Sequence, residues 1–149
     1  EFNLATQEDD HTLRELLASI PMQGNIELAF AREPSYFGAS GVDGEFVQVV
    51  AARDKNAQKI IGMGSRAIRN CYIDGHVTGT GYLSALRLLP EYRGKAAILA
   101  RGYRFFRELH EDRRARFYLT TIAADNERAI EVLVSQRAGI RVYFYMGRY

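Results

Sequence analysis

The sequence predicts an α/β fold in which a mixed, mostly antiparallel central sheet is flanked by helices. Two long segments rich in strand-forming residues meet at Asp74-Gly75, a dipeptide typical of a tight hairpin. An apolar strand ending near Leu89 then passes through a turn into an amphipathic helix. A further strand-like segment follows that helix, and a strand–helix–strand unit of this kind favours a parallel pair joined by a right-handed crossover.

The first part of the chain is predicted to hold a short strand and a helix. The strand covers residues 2–5 and the helix residues 6–20, which Pro21 ends. Apolar residues recur in that helix at positions i, i+3, i+4 and i+7, namely Leu13, Leu16, Leu17 and Ile20. Residues 26–31 are ambiguous between an extended segment and a helix.

A short helix opened by Pro34 and three strands are predicted next. The strands cover residues 46–52, 59–73 and 76–89, and their turn signals predict an antiparallel meander.

The last third is predicted to contain two helices and two strands. A long amphipathic helix covers residues 95–110, and a buried strand covers 117–122. Asp125-Asn126 begins a second helix that ends at Ala138-Gly139. A final strand over 140–145 would expose an edge that could pair with a second copy, which makes a homodimer possible.

Composition narrows the class of protein without naming a function. The 149 residues fit one domain spanning the whole chain, with 47% apolar and 26% charged residues. A net charge of +2 gives no reason to expect nucleic acid as a partner, and no apolar run is long enough to cross a membrane. A lone Cys71 cannot form an internal disulfide, so a reduced, cytoplasmic location is expected. The three histidines lack metal-ligand spacing, so no metal is expected.

The turn Arg93-Gly94-Lys95 is the strongest candidate binding motif. It joins a strand to a helix start, where free backbone N–H groups, the helix dipole and two cations favour a phosphate or pyrophosphate. A solvated turn is the alternative. A nucleotide P-loop is excluded because Leu89 and Ala96 stand where that motif needs Gly and Ser or Thr.

These residues, in this order, resemble the GNAT superfamily of N-acetyltransferases. The resemblance rests on Leu86-Arg87-Leu88-Leu89-Pro90-Glu91-Tyr92-Arg93-Gly94-Lys95, on Leu119-Thr120-Thr121-Ile122 and on Asp125-Asn126-Glu127-Arg128-Ala129. It implies a sheet splayed open at a parallel strand pair, with acetyl-CoA as cosubstrate in the opening and a primary amine as acceptor.

The resemblance also implies roles for particular residues. The backbone of Leu86, Arg87 and Leu88 would hold the pantetheine and the thioester, with Leu88 N–H as the oxyanion donor. Asn126 would contact the cosubstrate from the other side. The pyrophosphate would lie on the backbone amides of the turn and helix start, namely Arg93, Gly94, Lys95, Ala96, Ala97 and Ile98.

The sequence departs from the family pattern at both usual catalytic positions. Ser84 and Ala85 stand where many relatives have a glutamate, and Leu133 stands where many have a tyrosine. Ala96 and Ile98 replace two small, glycine-like positions of the pyrophosphate turn. Candidate acids and bases elsewhere are Glu27, Glu33 and Tyr36. A non-catalytic module that binds acyl-CoA or another protein is therefore the alternative function.

Overall fold

The sheet and the helices of the predicted fold are present. A computed structural model describes residues 1–21, 29–134 and 143–147. Within these ranges the strands are β1 (Phe2–Leu4), β2 (Phe46–Asp54), β3 (Lys59–Ile73), β4 (His76–Leu88) and β5 (Phe117–Leu119). The helices are α1 (Asp10–Ser19), α2 (Tyr36–Ser40), α3 (Ala96–Leu109) and α4 (Glu127–Val134).

The five strands form one sheet in the order β1-β2-β3-β4-β5. All neighbouring pairs are antiparallel except β4 and β5, which are parallel. The β4–β5 ladder runs only from Thr80–Phe117 to Tyr82–Leu119. Among the described residues, Leu83 to Leu88 have no strand partner on that side, so the sheet is open there. The fold class and the opening at the parallel pair are confirmed.

The main hydrophobic core lies between one face of the sheet and α1 with α2. The four apolar positions predicted for the first helix are all buried. They pack with Tyr36, Val49, Ala51, Ile60 and Met63. The period of 3.6 residues in α1 therefore predicted the correct inner face.

Helix α3 packs against the opposite face of the sheet. A Cβ at Gly64 would lie 3.0 Å from the Phe106 ring, and one at Gly102 would lie 3.1 Å from the Phe2 ring. These two glycines allow α3 to approach β3 and β1 closely.

The end of the sheet where β4 and β5 pair is held by a buried arginine. Arg66 has a fully buried side chain and donates to both carboxylate oxygens of Asp112, at 2.9 and 2.6 Å. It also donates to the Tyr118 hydroxyl at 2.9 and 2.6 Å, and to Gln48. One side chain therefore ties β2, β3, β5 and the turn after α3 together.

Several predicted boundaries differ from the structure. The strand expected over 117–122 ends at Leu119, and the first helix begins with a 3₁₀ turn over Gln7–Asp9. In the ambiguous region, residues 29–31 are neither helix nor strand, and residues 26–28 lie outside the described ranges.

The C-terminal elements are described only in part. Residues 143–145 form no strand, which corrects that part of the predicted final strand, and residues 138–142 lie outside the described residues. Asn126 caps α4, because its side-chain oxygen accepts from the Ala129 N–H at 3.2 Å. No helix in the described ranges is long and apolar enough to cross a membrane.

Candidate functional site

A β-bulge in β4 marks the start of the opening. Ser84 pairs with Ser65 and Arg87 pairs with Met63, so Ala85 and Leu86 together lie opposite Gly64. Ala85 takes up the extra length with a φ of 53°, a left-handed conformation that is uncommon outside glycine. Bulges bend a strand and increase its twist, and this one lies just beyond the last β4–β5 pair. The residue at this position is not glycine, so no local sequence pattern marks the bulge.

The backbone of Leu88 faces the opening. The next residue, Leu89, donates its N–H to Ile61 of β3 at 2.9 Å. Because N–H groups alternate between the two sides of a strand, the Leu88 N–H points away from β3 and towards the gap. The Leu88 carbonyl faces the same way and accepts from Arg93 Nε at 3.3 Å. The oxyanion donor implied by the sequence is thus oriented towards the opening.

The turn that follows presents backbone N–H groups at the start of α3. Gly94 has a φ of +80°, which explains why glycine occupies that position. Three of the six predicted amides are bonded within the turn. Arg93 donates to Pro90, Ala96 to Gly94 and Ile98 to Lys95. The N–H groups of Gly94, Lys95 and Ala97 have no acceptor among the described residues.

Side-chain contacts fasten this turn to the β2–β3 hairpin. The Tyr92 hydroxyl donates to Asp54 Oδ2 at 2.7 Å, and this hydrogen bond is the main reason that the pKa of Asp54 lies below its ordinary value. Lys95 Nζ lies 4.6 Å from the centre of the Tyr92 ring, and Lys59 pairs with Glu91 at 3.0 Å. The contact between Asp54 and Tyr92 could not be predicted from the sequence, because no local pattern links residues so far apart in the chain.

A cluster of buried polar groups lies on the other side of β4. Arg87 pairs with Met63, a residue of the main core, so its side chain lies on the face covered by α1 and α2. It is only 8% exposed, and burial lowers its pKa. Its Nη1 donates to the Leu86 carbonyl at 3.0 Å, while its buried Nε has no hydrogen-bond partner among the described residues.

Tyr36 and Arg32 complete this cluster. Tyr36 is 1% exposed, its hydroxyl has no hydrogen-bond partner in the described part of the chain, and burial raises its pKa to about 12. Arg32 lies over the Tyr36 ring at 5.1 Å and pairs with Asp43 at 2.6 Å, but its buried Nη1 has no partner among the residues described. The guanidiniums of Arg32 and Arg87 both act electrostatically on the Tyr36 hydroxyl.

A surface cleft of about 290 Å³ lies beside this cluster. Asp43, the partner of Arg32, is part of its wall. Its other lining residues come from β3, β4 and β5 and from the turn after α2, among them Ala67, Cys71, Tyr82 and Leu119.

Comparisons with known proteins identify the fold. No family model matches the sequence. No curated protein matches it either. Solved structures do match over the full length. An acetyltransferase from Trypanosoma brucei is 17% identical, with all of this chain and 97% of that one aligned at a TM-score of 0.63.

Two further structures agree with the first. Glucosamine-6-phosphate N-acetyltransferase from Arabidopsis thaliana is 14% identical, with 100% and 97% of the two chains covered at a TM-score of 0.64. An aminoglycoside 6'-N-acetyltransferase from Acinetobacter haemolyticus is 15% identical, with 100% and 99% covered at 0.62. The chain has the fold of the GNAT N-acetyltransferases.

Within this GNAT fold, most residues that the resemblance assigns to the cosubstrate lie at the end of β4 and in the turn that follows it. Leu86, Arg87 and Leu88 border the gap after the bulge, and residues 93–98 form the turn and helix start that follow. Asn126 stands at the start of α4, where its side chain is already used as the helix cap. Its predicted contact with the cosubstrate stays a prediction.

The candidate acids and bases are dispersed. Glu33 is exposed and paired with Arg14, while Tyr36 is buried beside Arg87. Glu27 lies outside the described residues. Ser84 and Ala85 lie at the bulge, and Leu133 is buried in α4. No group of three His, Cys, Asp or Glu able to hold a metal occurs in the described part of the chain.

Proposed function

We propose that this protein is an N-acetyltransferase that moves an acetyl group from acetyl-CoA to a primary amine. The observation that carries the proposal is the coincidence of three features at one opening. These are the unpaired edge of β4 after the bulge, the Leu88 N–H directed into the gap, and the free amides at the start of α3. The shared fold adds support without fixing the acceptor.

The turn fits a pyrophosphate. The N–H groups of Gly94, Lys95 and Ala97 are free to bind phosphate oxygens, and the dipole of the 14-residue helix α3 favours negative charge there. Arg93 and Lys95 add two exposed cations. Arg93, Ala96 and Ile98 use their own amides inside the turn, which shifts the predicted contact to the three remaining amides.

The edge of β4 fits the acyl end of the cosubstrate. Acetyl-CoA would supply a thioester, in which the amine nitrogen forms the new C–N bond as the C–S bond breaks and CoA leaves as the thiol. The Leu88 N–H is placed to stabilise negative charge on the carbonyl oxygen. Because the geometry of β4 is fixed by its pairing with β3, this donor is preorganised and positioning supplies much of the rate.

Neither of the two candidate bases among the described residues is ready to accept a proton. The Tyr36 phenol stays protonated near neutral pH because its pKa is about 12, and the Glu33 carboxylate is engaged by Arg14. We therefore propose that the amine proton leaves through water, and that the chain contributes mainly binding and orientation.

The test is calorimetry with acetyl-CoA and CoA, followed by an assay for free CoA thiol with a broad panel of amines. We expect saturable binding of both ligands and thiol release with at least one amine. Absence of binding at millimolar ligand would remove the proposal. Binding without thiol release across the panel would favour the non-catalytic acyl-CoA-binding module instead.

A further inference from the structure

The cluster of Arg32, Tyr36 and Arg87 offers three buried hydrogen-bond donors that have no acceptor among the described residues. The donor atoms are Arg32 Nη1, the Tyr36 hydroxyl and Arg87 Nε. Burying such a donor without a partner destabilises the folded protein, most of all when the donor is charged. Folded proteins rarely keep three such groups together unless a ligand completes them.

The charge of the cluster points to an anion. Arg32 and Arg87 bring two positive charges near Tyr36, and Asp43 brings one negative charge. Arg87 makes no ion pair with any carboxylate among the described residues. Its ring contact with Phe30, at 5.8 Å, does not neutralise it. Within the described part of the chain, the cluster therefore keeps one uncompensated positive charge where water is largely excluded.

The geometry of the three donors favours an anion with several oxygen atoms over other anions. A guanidinium presents several N–H groups in one plane, which matches the oxygens of a carboxylate or a phosphate. Tyr36 stays protonated near neutral pH, so it donates a hydrogen bond as well. A chloride ion or a neutral amide would leave part of this donor set unused.

The position of Arg87 links the cluster to the reaction. Arg87 directly precedes Leu88, whose N–H faces the gap proposed for the thioester. A group bound by Arg87 thus lies on the α1–α2 side of the same strand segment. The cluster meets the surface cleft through Asp43, the partner of Arg32. The pyrophosphate turn lies further along the chain and has its own cations, Arg93 and Lys95.

We infer that the acceptor is a small amine bearing a carboxylate or phosphate group, which Arg87 binds together with Tyr36 and Arg32. This inference rests on the proposed acetyl transfer, because it names the acceptor class of that site. It disfavours polyamines and other purely cationic acceptors, whose charge would oppose that of the two arginines.

The experiment compares matched pairs of amines in the thiol-release assay. Carboxylates are tested as 4-aminobutyrate and α-amino acids against their amides. Phosphates are tested as aminoalkyl and amino-sugar phosphates against the parent amines. We expect the anionic member of at least one kind of pair to have kcat/KM about 20-fold higher, as one charge-assisted contact allows. Which kind responds tells carboxylate from phosphate.

Variants of the cluster then assign the preference to its residues. In Arg87→Met the ratio should fall to within about threefold of unity. Tyr36→Phe keeps the ring and should reduce the ratio by about fivefold, the loss of one hydrogen bond. Arg104→Met, which removes an exposed arginine of α3, is the matched control and should leave the ratio intact.

The outcomes separate this inference from the proposed function. A preference for neutral or cationic amines, or a ratio that Arg87→Met leaves unchanged, overturns the inference while acetyl transfer stands. If no amine releases thiol, the melting temperature is measured with and without each amine. Stabilisation by the anionic amines that is lost in Arg87→Met supports an anion-binding site in a protein without catalytic activity. Equal stabilisation of the native protein and of Arg87→Met, or no stabilisation of either, overturns the inference.

Discussion

Two buried arginines, one on β3 and one on β4, have completely different surroundings. Arg66 lies near the paired end and is bonded to Asp112, Tyr118 and Gln48. Arg87 lies at the open end, where its Nε has no partner among the described residues and its pKa is lowered by burial. Burial also opposes the charge of Arg66, yet the hydrogen bonds that Arg66 donates to Asp112 and Tyr118 raise its pKa.

This difference indicates that the end of the sheet where β4 and β5 pair contributes to stability, and that the open end contributes to binding. A buried charge that is paired and hydrogen-bonded can hold strands together, whereas one left unpaired costs free energy in the unliganded protein. The closed end keeps β4 and β5 in register. The open end retains unused donors, which is the arrangement expected where a ligand enters.

The largest effect is expected at the closed end. Asp112→Ala leaves the Arg66 charge buried and should lower the free energy of unfolding by about 3 kcal/mol, since breaking one partner of a buried pair is costly. Urea denaturation measures the change. Glu111→Gln, an exposed neighbour, is the control and should change stability by less than about 0.5 kcal/mol. A loss below about 1 kcal/mol for Asp112→Ala would show that this ion pair does not hold the sheet.

The next largest effect is expected in the turn at the start of α3, whose backbone conformation depends on Gly94. Gly94→Ala forces alanine to a φ of +80° and should weaken acetyl-CoA binding about tenfold, because the amides of the turn shift. Calorimetry with acetyl-CoA gives the ratio of dissociation constants.

Two matched glycines test the cause of that loss. Gly75 has a φ of +79° at the β3–β4 hairpin, so Gly75→Ala should cost similar stability, about 1 kcal/mol, and leave acetyl-CoA binding unchanged. Gly41 has a φ of −58° and nothing near its Cβ, so Gly41→Ala should affect neither. Equal binding losses in Gly75→Ala and Gly94→Ala would exclude a local role for the turn.

At the open end, substitution of Arg87 is expected to have a smaller effect on the free energy of unfolding, and one of opposite sign. Arg87→Met replaces an unpaired buried charge with an apolar side chain of similar length. It should raise the free energy of unfolding by about 1 kcal/mol in the absence of ligand. Arg66→Met should instead lower it, since Asp112 and Tyr118 lose their partner. Urea denaturation of both variants provides the comparison, and destabilisation of similar size by both would contradict the distinction between the two ends.

Sequence patterns predicted the secondary structure elements better than they predicted the arrangement of the candidate site. The apolar period of α1, the Asp74-Gly75 hairpin and the strand–turn–helix around Gly94 are local patterns, and each gave the right element. The bulge at Ala85, the Tyr92–Asp54 contact and the cluster around Tyr36 depend on residues brought together by the sheet. The sequence resemblance implies a role only for the backbone of Arg87, because sequence alone cannot show that the charge of its side chain is buried without a partner among the described residues.

The smallest effect concerns pH, and the two ends should respond at opposite extremes. Hydrogen bonds from Arg66 are the main reason that the pKa of Asp112 lies below its ordinary value. Its contribution is therefore complete above about pH 4 and is lost as pH falls through its folded-state pKa. Burial raises the pKa of Tyr36 to about 12, so its contribution is complete below about pH 10 and is lost as pH rises towards 12.

Denaturation of two variants across the pH range checks both signs. The stability gap between the native protein and Asp112→Ala should be constant from pH 5 to 8 and should narrow below about pH 4. The gap to Tyr36→Phe should change only above about pH 10, where the phenylalanine variant loses less stability because it has no phenol to ionise. A Tyr36→Phe gap that changed near neutral pH would mean that this phenol ionises there and could act as a base, which would return proton removal to the protein.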